Sequence, residues 1–131
     1  MKGILGVHHV ALIVANYERS KQFYTEVLGA TVISEVYREE RHSYKLNVAF
    51  PDGVELEIFD FAGAPMRPSR PEAQGLRHLA LKVSDLDAAL AHVRSFGVET
   101  EDIRVDELTG NRFVFFGDPD DLPIELVEIR G

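Results

Sequence analysis

The sequence predicts an α+β fold built from two tandem βαβββ modules whose strands form a curled mixed β-sheet. The first observation is an internal repeat: the strand-like run HVALIV at residues 9–14 returns as HLALKV at residues 78–83. The second is that each run is followed by a strand-like segment that carries a glutamate, Glu57 in the first half and Glu125 in the second. The third is a proline- and glycine-rich connector, residues 62–75, between the two copies.

In the first module, the strand at residues 7–14 alternates so that His9, Ala11 and Ile13 share one face. A helix follows, with Asn16 as its predicted N-cap and Gly29 as its end. Three further runs rich in β-branched and aromatic residues predict strands at residues 31–38, 43–50 and 54–61. The first module is therefore assigned to residues 4–61.

The second module, residues 76–130, repeats this order. Ser84, with Asp87 three residues later, is the predicted capping box of a helix whose apolar stripe runs from Leu86 to Phe96 before Gly97. Strands are predicted at residues 76–83, 98–105, 112–116 and 124–129. Together the modules and the connector are expected to make one domain, residues 1–131.

Composition excludes several classes of function. The chain lacks cysteine, so it has no disulfide, thiolate ligand or cysteine nucleophile. A net charge of −8 argues against a nucleic-acid partner, which requires a basic surface. No apolar run reaches the roughly 20 residues of a membrane helix, and no signal peptide is recognisable at the N-terminus. We therefore expect a cytoplasmic protein that acts on a small molecule, without a membrane or nucleic-acid partner.

The repeat places His9, Glu57, His78 and Glu125 at matching positions of the two modules. If the modules pack with pseudo-two-fold symmetry, these four side chains can converge on one point. Two imidazoles and two carboxylates suit a divalent Zn, Ni, Co, Mn or Fe ion. An octahedral ion with these four ligands keeps two positions for substrate oxygens, where it can polarise a carbonyl.

Six short motifs occur in order along the chain: residues 9–12, 23–24, 27–29, 53–57, 75–80 and 118–125. This ordered set resembles the vicinal oxygen chelate (VOC) superfamily, and its glyoxalase-I-like, lactoylglutathione lyase-like members in particular. Residues 37–41, 67–73 and 111–113 resemble a smaller bacterial subgroup, the YaeR-like proteins. The resemblance covers nearly the whole chain and implies the glyoxalase/bleomycin resistance/dihydroxybiphenyl dioxygenase-like fold.

The resemblance implies that the metal ligands are His9, Glu57, His78 and Glu125. It further implies that Glu125 is the catalytic base, which shuttles a proton between neighbouring carbons of the substrate. Four protein ligands favour the lyase or isomerase type over extradiol dioxygenases and fosfomycin-modifying members, which use three. The turn at Asp121 departs from the family pattern, which usually has glycine there, but Asp tolerates a left-handed conformation.

The resemblance also predicts a homodimer, in which the site forms either within one chain or across two. A different function stays open: a non-catalytic VOC protein that binds a metal or a small ligand. The identity of the metal and of the substrate is not encoded in these motifs.

Other polar residues have simpler interpretations. We expect His8 to pack toward the helix side, and His42 and His92 to lie on the surface. Glu55 and Glu128 are interpreted as solvated strand residues. The six aromatic residues of the strand and helix runs are expected to be core, with one or two lining a pocket: Phe23, Tyr24, Phe96, Phe113, Phe115 and Phe116.

Six arginines stand out in this acidic chain: Arg38, Arg41, Arg67, Arg70, Arg77 and Arg112. Salt bridges with neighbouring glutamates are the simpler interpretation. The functional alternative is that Arg38 or Arg112 binds an anionic group of the substrate near the metal, since arginine suits bidentate recognition of carboxylate or phosphate.

Overall fold

A computed structural model describes residues 1–130 of the chain; Gly131, the last residue of the predicted domain, lies outside the described residues. The chain divides into two compact units, Met1–Pro65 and Met66–Gly131. The division falls inside the predicted connector 62–75. Among the described residues, none of the helices has the length and apolar character needed to cross a membrane.

The first unit contains one four-stranded mixed sheet in the order β1-β4-β3-β2. Strands β1 and β4 are parallel, whereas β3 is antiparallel to both of its neighbours. A π-helical turn, Phe23–Val27, extends the helix, and a 3₁₀ turn, Glu39–Arg41, connects β2 with β3. The elements are β1 His9–Ile13, α1 Tyr17–Gln22, β2 Thr31–Arg38, β3 Ser43–Ala49 and β4 Glu55–Phe59.

Alternation along these strands separates a core face from an open face. Leu46, Leu56 and Ile58 are fully buried with the aromatic residues of α1 and the following turn, including Tyr24. Asn16 caps α1 as predicted, because its side chain accepts a hydrogen bond from the Arg19 N–H at 3.0 Å. The core face therefore carries the apolar residues that hold the helix, and the other face is free for polar side chains.

The second unit repeats the arrangement, with one four-stranded sheet in the order β5-β8-β7-β6 and a parallel β5–β8 pair. Its elements are β5 Leu79–Val83, α2 Leu86–Ser95, β6 Arg104–Val105, β7 Arg112–Gly117 and β8 Pro123–Glu128. The α+β class and the βαβββ order of both modules are confirmed. Asp121 adopts the expected left-handed conformation, with φ of 65°.

Several local predictions were wrong. Asp85, not Ser84, caps α2, because its carboxylate accepts from the Ala88 N–H at 3.0 Å. The strand predicted at residues 98–105 shrinks to β6 and an isolated bridge at Thr100; the segment between them contains Glu101 and Asp102, residue types that are depleted in strands. Phe96 is 43% exposed at the end of α2 instead of buried.

Two polar residues also differ from expectation. His8 is exposed, and its ring lies against that of His9 instead of packing toward the helix. Glu128 is only 4% exposed. Its carboxylate accepts from the Leu86 N–H at 2.9 Å and pairs with Arg130 at 2.7 Å, and these donors lower the pKa of Glu128. Glu128 therefore holds the start of α2 on the sheet instead of being solvated.

Candidate metal centre

The open face of the first sheet brings His9 and Glu57 together. His9 begins β1, and Glu57 lies in the middle of the parallel neighbour β4, so their side chains project from the same face. The Nε2 atom of His9 lies 3.5 Å from Oε1 of Glu57, and the two side chains are 39% and 16% exposed. The pair predicted from the repeat is thus formed within the first unit.

The second unit forms the equivalent pair from His78 and Glu125. His78 immediately precedes β5, and Glu125 lies in β8, opposite Ala80 in the parallel register. The Nε2 atom of His78 lies 3.2 Å from Oε1 of Glu125, and these side chains are 26% and 17% exposed. Each unit therefore carries a half-site that consists of one imidazole and one carboxylate.

Within each half-site, taken separately, the two donor atoms have the spacing of two ligands on one cation. With metal–ligand bonds of about 2.1 Å, neighbouring donors lie about 3.0 Å apart around an octahedral ion and about 3.4 Å apart around a tetrahedral one. The observed separations of 3.5 and 3.2 Å are close to these values. Within residues 1–130, histidine, aspartate and glutamate side chains form no group of three or more that could hold a metal ion. Each unit thus presents two ligands of a suitable kind.

The two glutamates differ in what holds them. Glu57 accepts a hydrogen bond from the Asn47 amide at 3.2 Å, and Lys45 lies 3.8 Å from the same Oε2 atom. Asn47 is 8% exposed and faces Glu57 directly across the β3–β4 ladder. These contacts fix one carboxylate oxygen and leave the other, Oε1, directed at His9.

Glu125 has an apolar neighbour at the corresponding cross-strand position. Phe115 faces it across the β7–β8 ladder and packs its ring edge-on against His78, with 5.0 Å between ring centroids. No amide or ammonium group of the described residues binds the Glu125 carboxylate, whose only ion-pair contact is His78. Glu57 is therefore anchored, whereas Glu125 is held by one contact.

Sequence reasoning did not identify Asn47 or Phe115 as parts of the site. Asn47 stands in a run of β3 residues that are otherwise mostly apolar, and an amide in such a strand requires a hydrogen-bond partner. That signal was present in the sequence. Its partner depends on the strand register, which only the folded sheet supplies.

The second ring nitrogens of the histidines also have partners. Nδ1 of His9 lies 2.8 Å from Nδ1 of His8, and Nδ1 of His78 lies 3.2 Å from Nη1 of Arg77. Because a guanidinium only donates, this contact assigns the His78 proton to Nε2, which then donates to Glu125. A cation bound at Nε2 requires the other tautomer, so Arg77 must release Nδ1 when the ligand position is used.

The two arginines predicted to bind substrate have different surroundings. Arg112 donates to both carboxylate oxygens of Asp87, at 3.0 and 3.2 Å, and lies 3.6 Å from Glu128. The Arg112 guanidinium lowers the pKa of Asp87. These contacts tie α2 to the sheet and agree with the simpler salt-bridge interpretation; substrate binding by Arg112 stays a prediction. Arg38 lies on the open face, and its Nε and Nη2 atoms are buried without a hydrogen-bond partner.

Comparison with known proteins agrees with this architecture. Residues 6–126 match the model of the Glyoxalase/Bleomycin resistance protein/Dioxygenase superfamily. The chain belongs to this superfamily. The resemblance to the VOC proteins, which the motif order predicted, is thereby confirmed.

Relatives within the superfamily include YaeR of Escherichia coli (strain K12), described as an uncharacterized protein. YaeR is 54% identical over 128 residues, 98% of this chain and 99% of YaeR. A 2-epi-5-epi-valiolone epimerase of Actinomyces sp is 28% identical over 148 residues, 97% of this chain and 81% of the epimerase. The crystal structure of SMU.1112c has a TM-score of 0.90 and 44% identity, and the match covers 96% of this chain and 100% of that chain. The similarity to YaeR confirms the predicted subgroup.

Proposed function

We propose that this superfamily member is a divalent-metal-dependent, glyoxalase-I-like enzyme of the lyase or isomerase type. Its substrate would be a small molecule that binds the metal through two vicinal oxygens. The observation that carries the proposal is the pair of repeat-equivalent His–Glu half-sites, whose donor atoms have the spacing of neighbouring ligands on one cation. The proposed ligands are His9, Glu57, His78 and Glu125, contributed either within one chain or across a cytoplasmic homodimer.

The two glutamates would have different roles, one as a fixed metal ligand and one as the base. Asn47 and Lys45 hold Glu57 as a fixed ligand. Glu125 lacks such anchors, so its carboxylate is free to leave the ligand position and to take a proton from a substrate carbon. Phe115 packs edge-on against His78 and places an apolar ring beside this half-site. A bound divalent cation supplies Lewis-acid polarisation of the substrate carbonyl, which acidifies the neighbouring C–H bond.

The Actinomyces relative supports this type of chemistry. An epimerase inverts one carbon centre, and inversion beside a carbonyl requires a base that removes the proton from one face and a donor that delivers a proton to the opposite face; Glu125 would supply one of these two transfers. The similarity of 28% extends over 97% of this chain. We therefore favour isomerisation or epimerisation, in which a proton moves at one carbon or between neighbouring carbons, over the ring cleavage that dioxygenases catalyse.

Glu125→Gln tests the proposal. The amide keeps a metal-binding oxygen but cannot accept the proton, so we expect metal content to persist while kcat falls by about 10²–10⁴. The assay combines elemental analysis with a matrix of Ni²⁺, Co²⁺, Mn²⁺, Fe²⁺ and Zn²⁺ against α-keto aldehydes, their thiol adducts and 2-hydroxy acids. Glu99→Gln, at an exposed position, is the matched control.

Full turnover by Glu125→Gln would refute the base assignment. Stoichiometric metal and tight ligand binding without turnover across the matrix would instead establish the non-catalytic binding protein. A protein that takes up none of the five metals would exclude both metal-dependent functions.

A further inference from the structure

Arg38 is the last residue of β2. Its side chain lies on the open face of the first sheet and stacks on two aromatic rings. Its guanidinium carbon lies 4.9 Å from the ring centroid of Phe59 and 5.9 Å from that of Phe61. Arg41 approaches the same Phe61 ring at 5.2 Å. The aromatic faces stabilise the positive charges and fix the plane of the Arg38 guanidinium.

One edge of this guanidinium has no partner. Nε and Nη2 of Arg38 are both buried and make no hydrogen bond, and none of the ion pairs among residues 1–130 includes Arg38. These two nitrogens form the edge of the guanidinium that binds a carboxylate through two parallel hydrogen bonds. We call this edge open because no protein acceptor occupies it, and acceptor atoms of a ligand there would offset the cost of burying a charged donor without a partner.

The second unit contains an equivalent arginine that stacks on two phenylalanine rings and also binds a carboxylate. Arg104 of β6, the strand equivalent to β2, stacks on Phe113 and Phe115 at 4.9 and 5.6 Å. Its Nε and Nη2 atoms both donate to Oε1 of Glu101, at 3.2 and 2.9 Å. In the second unit a carboxylate therefore occupies the edge that is open in the first.

The open edge lies on the same sheet face as the His9–Glu57 half-site. Phe59, on which Arg38 stacks, follows Glu57 by two residues in β4, so both side chains project from this face. Two strand residues span about 6.6 Å. The guanidinium thus lies on the order of 10 Å from the Glu57 carboxylate, within the length of a small metabolite.

We propose that Arg38 binds a carboxylate at the far end of the substrate, in the position that Glu101 fills in the second unit. The inference rests on the proposed function, because it places the vicinal oxygens of the same substrate at the His–Glu ligands. The substrate class is then a small carboxylic acid whose charged end lies several bonds from its metal-chelating oxygens. Arg41 adds positive charge beside the same ring.

The first test uses metal-free protein, so it does not depend on the proposed function. The Nε–H resonances of Arg38 and Arg104 are followed by ¹H–¹⁵N NMR during titration with hexanoate, hexanol or inorganic phosphate. We expect hexanoate to shift the Arg38 resonance saturably and hexanol to leave it unchanged. We expect phosphate to require more ligand than hexanoate, because a carboxylate fills the equivalent edge of Arg104. The Arg104 resonance should not move, because Glu101 occupies that edge.

No response of Arg38 would overturn the inference, as would equal responses to hexanoate and hexanol. Equal affinity for phosphate and hexanoate would overturn the choice of carboxylate. Arg38→Met, which keeps contact with the rings but lacks the charge, should abolish saturable hexanoate binding. Arg104→Met is the matched control and should retain it.

The second test uses metal-loaded protein and two probes that differ only at the far end, 2-oxoadipate and 2-oxohexanoate. We expect calorimetry to show at least about tenfold tighter binding of 2-oxoadipate, and we expect Arg38→Met to lose this preference. A preference retained in Arg38→Met would overturn the inference. An Arg38 response to hexanoate without metal uptake would refute the metal function alone, whereas metal uptake without that response would refute the Arg38 site alone.

Discussion

At the scale of single residues, the two halves of the repeat have diverged in what surrounds their glutamates. Asn47 and Phe115 occupy the same cross-strand position relative to Glu57 and Glu125. The amide orients its carboxylate, whereas the ring offers no hydrogen bond. In the proposed site, this difference would make Glu57 the fixed ligand and Glu125 the mobile base.

Asn47→Ala should therefore weaken metal binding by about 10–100-fold, the usual effect of removing a group that orients a metal ligand. The reason is that Glu57 loses its 3.2 Å hydrogen bond and gains alternative rotamers. Calorimetric titration with the metal that best supports activity measures the change. Asn111→Ala, in a turn of the second unit, serves as the control, and equal affinity of both variants would contradict the orienting role.

Two equivalent arginines of the two units also differ in their partners. Arg38 and Arg104 make the same stack on paired phenylalanines, but only Arg104 has a carboxylate on its Nε/Nη2 edge. Arg112 shows why residue type alone is insufficient. Its guanidinium already pairs with Asp87 and Glu128, so it differs from Arg38 in having acceptors within the fold.

At the scale of elements, the helix that follows the first strand of each module is fixed by a side-chain cap at its first turn. Asn16 and Asp85 each accept a backbone N–H three residues later, both at 3.0 Å. In the second unit Glu128 adds a further acceptor at Leu86, from the last strand of the sheet. The caps, with this cross-link in the second unit, hold each helix over the core face and leave the open face to polar side chains.

Asp85→Ala should lower the free energy of unfolding by about 1 kcal/mol, because an N-cap side chain is lost. Ser84→Ala removes a hydroxyl that does not cap the helix, and the free energy of unfolding should change little. Chemical denaturation of the two variants compares them directly. Equal losses, or a larger loss for Ser84→Ala, would show that the helix starts one residue earlier than the structure places it.

At the scale of the whole molecule, the proposed metal couples to stability, since a ligand that binds only the folded state raises the free energy of unfolding. At a free metal concentration of about 100 times Kd, the gain should be about 2.7 kcal/mol. Thermal unfolding with and without metal measures it. His78→Ala should lose the gain, whereas His92→Ala, at an exposed position on α2, should keep it. A full gain in the double variant His9→Ala/His78→Ala would place the metal elsewhere.

The sequence by itself determined the class of fold, the order of elements and the membership of the superfamily. Period-two alternation, the glycine helix ends and the repeat are local signals, and they survive folding because local geometry dictates them. The same repeat selected the His–Glu pairs, and the structure forms both pairs.

Only the tertiary structure decided which neighbours and hydrogen-bond partners these residues have. Strand register placed Asn47 on Glu57 and Phe115 beside Glu125, and a one-residue shift would have reversed both faces. Tertiary packing buries Glu128 and brings it next to Arg112. Neither contact is visible in the sequence, where both are charged residues in predicted strands. The open edge of Arg38 is likewise a property of the fold, because hydrogen-bond satisfaction depends on neighbours that are distant along the chain.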